Sequence, residues 1–72
     1  MQKEIVLIHI GKNIRDLREK KNISQQDLAA ICNFEKSNMS RIEAGRTNLT
    51  IGTLLKICEA LNVKLSDIVD VE

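Results

Sequence analysis

The residues best equipped for chemistry stand close together: Lys36, Ser37, Ser40 and Arg41, spaced so that one short helix turns all four outward. Lysine and arginine are pure donors and serine adds hydroxyls, so the group suits hydrogen bonding to an anionic or acceptor-rich partner. Catalysis finds no such group. His9 is the sole histidine, and neither an acid nor a nucleophile is placed beside it. Cys32 and Cys58 sit in apolar helical patterns without metal-ligand spacing. The expectation is a non-enzyme with no metal, no cofactor and no small-molecule ligand.

Charge distribution agrees with an anionic partner. Residues 11–46 carry eight Lys/Arg against five acids, a local +3, while residues 47–72 carry two against four, a local −2. A mildly basic N-terminal half suits presentation to a polyanion. Two thiols and no signal peptide read as reduced core cysteines in a cytoplasmic protein. The longest apolar run, Ile5 to Ile8, is too short to span a membrane, and no small-residue cleavage site follows it. Seventy-two residues make one domain. It has no room for a separate sensor, so any control is expected to act through oligomerisation, expression level or a partner.

Positioning those donors requires helices. One aromatic residue (Phe34) and no proline leave a core of Leu, Ile, Val, Met and Ala, which favours an all-α bundle. Ile10, Ile14 and Leu17 define one face of a first helix from about His9 to Lys21. Asn22 can take a left-handed conformation, and Ser24 caps a second helix, Gln25 to Cys32, with Asp27 able to complete a box resembling S-x-x-E. Lys36 to Ala44 forms the third, stopped by Gly45. Thr50 caps a fourth, Ile51 to Leu61, bearing Leu54, Leu55, Cys58 and Leu61, and a short fifth lies around Leu65 to Val69. Residues 1–8 form an arm, either a short strand from Ile5-Val-Leu-Ile8 or an extension of the first helix. Its apolar residues are expected to pack on the fourth or fifth helix or on a second subunit. Residues 9–69 make the domain and 70–72 a tail.

The segment from Gln25 to Ile42 meets the demands of two helices crossing steeply about a tight turn. The inner helix supplies a large apolar residue (Leu28), a very small one at closest approach (Ala29) and a further apolar one (Cys32). The turn supplies Asn33, which tolerates positive φ, and the plug Phe34. The outer helix supplies anchors three apart, Met39 and Ile42.

Over residues 9 to 69 the chain resembles the Cro/repressor-type (Xre-like) helix-turn-helix family. Ile14-Arg-Asp-Leu-Arg-Glu-Lys-Lys-Asn-Ile-Ser-Gln-Gln-Asp-Leu-Ala29 is similar to the family's first two helices, Ser40-Arg-Ile-Glu-Ala-Gly-Arg46 to the end of its recognition helix, and Leu54-Leu-Lys-Ile-Cys-Glu-Ala-Leu-Asn-Val63 to its fourth. The resemblance implies a five-helix, lambda-repressor-like domain that binds double-stranded DNA. Its third helix would enter the major groove while the second crosses the phosphates. Lys36, Ser37 and Arg41 would then face the bases, Arg41 bidentate to guanine O6 and N7, with Ser40 and Asn38 flanking them. Gln25 would meet a phosphate at the start of the second helix, and Arg46, Thr47 and Asn48 would follow the backbone in the next loop. Arg18 and Glu43 match positions that pair in the family, leaving Arg18 near a phosphate as well.

Three positions depart from the family. Asn33 replaces the usual glycine, Glu35 stands where Ser or Thr caps the recognition helix, and Leu49 replaces a common proline. The implied function is a transcriptional regulator, a homodimer on a near-palindromic operator, nucleoid-associated through DNA. Size and the lack of a sensor resemble Cro-like repressors and restriction-modification controllers. The competing expectation is a protein-interaction module such as an antitoxin or adaptor.

Overall fold

A computed structural model describes residues 2–70. Among these, five helices form and no strand: α1 (Lys3–Lys20), α2 (Gln25–Cys32), α3 (Lys36–Glu43), α4 (Ile51–Leu61) and α5 (Leu65–Ile68). Met1 of the expected arm, and residues 71 and 72 of the expected tail, lie outside the described residues.

Local chemistry sets most boundaries. Ser24 Oγ accepts from the Asp27 N–H at 3.0 Å, and Thr50 Oγ1 accepts from the Thr53 N–H at 3.1 Å. Each hydroxyl satisfies a donor that the first helical turn leaves open. At α5 the cap comes from the other direction: the Lys64 N–H donates to Asp67 Oδ2 at 3.0 Å. Helices α1 to α4 share one kind of stop. A left-handed residue follows each of them, Asn22 (φ 57°), Asn33 (φ 59°), Gly45 (φ 73°) and Asn62 (φ 55°). The next N–H then donates to the carbonyl five residues back, as Phe34 does to Ala29 at 2.8 Å and Arg46 to Arg41 at 2.9 Å.

Of the two readings of residues 1–8, the described residues follow the helical one: the first helix begins at Lys3 rather than near His9, and residues 3–8 are its opening turns. Ile8 backs onto the loop after α3, where a Cβ on Gly45 would lie 2.6 Å from Ile8 Cα, and Val6 packs on the core. Ile5 and Ile8 nevertheless stay about half exposed, at 48 % and 53 %. On α4, Leu55 faces outward and Ile57 is fully buried. The inner face of that helix runs 54, 57, 58, 61, which is the i, i+3, i+4, i+7 stripe of a straight helix.

One core joins all five helices: Ile10 and Ile14 of α1, Leu28, Ala29 and Cys32 of α2, Met39 and Ile42 of α3, Leu54, Ile57, Cys58 and Leu61 of α4, and Ile68 of α5. Burial pushes the Cys32 and Cys58 thiols up, the behaviour of inert core sulfur. Asn13 of α1 donates to the Ile68 and Asp70 carbonyls at 2.9 and 2.6 Å, tying down the end of α5.

Helices α1 and α3 approach closely. Gly11 is buried there, and a Cβ on it would stand 2.6 Å from the Ile42 carbonyl oxygen and nearer still to that of Glu43. Both obstacles are backbone, so neither can rotate away. Gly11→Ala is therefore expected to lower the unfolding free energy by about 1–3 kcal/mol through overpacking. That loss exceeds the roughly 1 kcal/mol that alanine gains in helix propensity. Urea denaturation checks it; an unchanged or raised midpoint would mean that the two helices part freely.

Candidate nucleic-acid interface

Helix α3 is held by its inner face and open on its outer one. Met39, Ile42 and Glu43 are buried, whereas Lys36, Ser37, Ser40 and Arg41 are exposed and Asn38 is half-buried. The 3.6-residue period makes this division, since 39, 42 and 43 fall on one stripe. Among the described residues, no carboxylate lies within ion-pairing distance of Lys36 or Arg41. Their donors are free for a partner.

The inner end of α3 is fixed by charge. Arg18 Nε donates to Glu43 Oε2 at 2.8 Å and Arg18 Nη2 to Glu43 Oε1 at 3.1 Å, a two-pronged pair between α1 and α3. Arg18 Nη1 donates to the Ile23 carbonyl at 2.8 Å, and Gln25 Nε2 donates to Glu43 Oε1 at 3.1 Å. The Glu43 carboxylate thus gathers α1 and the first residue of α2, while Arg18 holds the turn between them. The bond to Glu43 outweighs burial and raises the Arg18 pKa above its already high ordinary value. That guanidinium is a fixed cation at any pH the fold meets.

These contacts bear on two of the expected DNA-contact residues. Arg18 is 9 % exposed and donates from all three nitrogens inside the protein, so its guanidinium ties α1 to α3. Gln25 is half-buried and spends one amide N–H on Glu43, which leaves it a second donor at the start of α2. Glu35 is exposed and precedes α3 without a side-chain cap bond. Phe34 plugs the turn from the core side, with Lys56 Nζ 5.7 Å from the ring centroid.

The loop after α3 carries Arg46 and Asn48, both exposed, and half-buried Thr47, whose hydroxyl reaches the Asn48 carbonyl at 3.5 Å. These residues line a cleft apart from the α3 face, together with Lys3, Glu4 and Leu7 of α1 and Gly45. Sequence reasoning missed three contributors. Gly11 had a signal, a glycine inside a helical pattern, which marks close approach. Asn13 and Lys3 had none, because the carbonyls that Asn13 bonds and the loop that shares a cleft with Lys3 are distant in the chain.

A helix of this exposure, seated on a second across a left-handed turn and presenting cations and short polar side chains, is a helix-turn-helix DNA-binding domain. A model of the Cro/C1-type HTH DNA-binding domain matches residues 13–72, and the chain belongs to that family. It is 36 % identical over 61 residues to the control protein C.BamHI of Bacillus amyloliquefaciens, covering 83 % of this chain and 75 % of that one. It is 35 % identical over 60 residues to the antitoxin PezA of Streptococcus pneumoniae, again 83 % of this chain but only 38 % of the relative. Among solved structures it resembles the restriction-modification controller protein C.AhdI of Aeromonas hydrophila. There the TM-score is 0.83 and the identity 29 %, with 86 % of this chain and 94 % of the other covered.

Proposed function

We propose that the protein is a sequence-specific regulator of transcription, of the repressor or controller kind, acting in the cytoplasm as a homodimer on a near-palindromic operator. The observation that carries the proposal is the outer face of α3, where Lys36, Ser37, Ser40 and Arg41 are exposed and no carboxylate pairs with either cation. Arg41 and Lys36 read guanine edges, Ser37, Ser40 and Asn38 support them, and Gln25, Arg46, Thr47 and Asn48 hold phosphates. Glu43 and Arg18 keep the reading helix at one angle. Similarity to proteins named as restriction-modification controllers supports the regulatory role.

A dimer is favoured because one such module makes a DNA interface of only about 600–1,000 Å². Exposed Ile51 and Leu55 on α4 and Val69 after α5 offer apolar surface for a second copy. Two copies place their α3 helices about 34 Å apart, one turn of DNA.

The test is selection of duplexes from a random library by the purified protein at two salt concentrations, with sedimentation to read the oligomer. A palindrome recovered more weakly at high salt is the expected result, since phosphate binding releases counterions. The second reading, a protein-interaction module, is favoured by the likeness to an antitoxin. It also draws on Ile31, 60 % exposed, beside a cleft of about 420 Å³ between α2 and α4. No enriched sequence, or binding indifferent to salt, turns the assignment to that module.

A further inference from the structure

The opening turns of α1 lie outside the part of the chain that matches the family model, which begins at residue 13. They are nonetheless seated on a loop that the proposed function assigns to DNA phosphates. A cleft of about 420 Å³ is lined by Lys3, Glu4 and Leu7 from α1 and by Gly45, Arg46, Thr47 and Asn48 from that loop. Its walls are held together by backbone. Gly45 takes φ 73°, and a Cβ on it would meet Ile8 N and Cα within 2.8 Å, so α1 touches the loop with no side chain between them.

Lys3 and Arg46 are both exposed, and among the described residues no carboxylate pairs with either. Two cations and an amide thus line one recess, a donor set suited to a phosphate oxygen. Glu4 opposes them. Its carboxylate stabilises the positive end of α1 but repels a bound anion.

We infer that the first turn of α1 is part of the DNA interface: Lys3, across the cleft from Arg46 and Asn48, holds a backbone phosphate that α3 does not reach. This rests on the DNA-binding reading and adds a contact to it. Lys3 supplies affinity without sequence preference, and Glu4 tempers it. The extended α1 therefore widens the footprint without changing the sequence that is read.

The test uses the full chain and a fluorescein-labelled selected duplex beside a scrambled one, with anisotropy titrations across a salt series. Lys3→Ala is expected to weaken both duplexes by the same several-fold factor. It should also reduce the slope of log K against log salt by about one. Lys3→Arg restores both, and Glu4→Gln tightens both. A merely structural role for the turn would not give opposite signs for two adjacent exposed residues. Thermal melts of each variant accompany the titrations. Unchanged affinity and slope in Lys3→Ala, while Arg46→Ala loses both, would place α1 off the DNA and overturn the inference alone. Absence of salt-dependent binding in the unaltered protein would overturn the DNA-binding reading with it.

Discussion

Replacing Glu43 by alanine is expected to lower the unfolding free energy by about 3–5 kcal/mol, the loss seen when one partner of a buried ion pair is removed. Arg18 and Glu43 have side-chain exposures of only 11 % and 3 %, so water screens them little. The variant strands the Arg18 guanidinium with one protein acceptor, the Ile23 carbonyl. It also deprives Gln25 of its partner. A domain of this length is stable by about 4–11 kcal/mol in all, so the change removes a large share. The double variant Arg18→Met/Glu43→Met should recover most of the loss, because apolar residues of similar volume remove both charges together. Urea denaturation followed by circular dichroism measures each. A drop below about 1 kcal/mol for Glu43→Ala, the value of a surface pair, would show that the pair is solvated and does not anchor α3.

The second large effect falls on binding. Lys36→Ala/Arg41→Ala is expected to abolish recognition of the selected operator while leaving the melting curve in place. Both side chains are exposed, and surface substitutions ordinarily move stability by no more than about 0.5 kcal/mol. Each good contact to a base edge is worth about 1–3 kcal/mol of discrimination. Loss of two, repeated in both copies of a dimer, brings specific binding down toward the non-specific level. Non-specific, salt-sensitive binding should persist, since Gln25, Arg46 and Asn48 are untouched. Arg41→Ala alone should relax preference at one base pair per half-site and leave the others. A double variant that keeps its operator would mean that α3 does not read the bases.

The two variants separate two duties of one short helix. Glu43 lies on its buried stripe and is bonded to α1 and α2, while Lys36 and Arg41 lie on its open stripe, where the proposed function places the DNA. A weakened Glu43 variant should therefore lose operator affinity even at temperatures where it remains folded.

What could be read from the chain was what depends on neighbours within a turn or two. Ser24 and Thr50 cap the residues three ahead, Asn33 and Gly45 stop helices by adopting a left-handed backbone, and Met39 and Ile42 mark the buried stripe of α3. All of these are local interactions, so composition and spacing suffice for the helices α2 to α5 and for the outward donors. The start of α1 was not legible, because Ile5-Val-Leu-Ile8 suits a strand as well as a helix and its state depends on Gly45, far along the chain. On α4 the choice between Leu55 and Ile57 depends on which side of the helix meets the core. The engagement of Gln25 by Glu43, the need for Gly11 beneath α3 and the placing of Lys3 and Arg46 on one cleft are likewise tertiary. Sequence alone determined a helix-turn-helix and the open face of its third helix, since these follow from periodicity and caps. Only the packed structure decided which cations remain free for DNA and which are spent holding the reading helix, because that depends on contacts between residues distant in the chain.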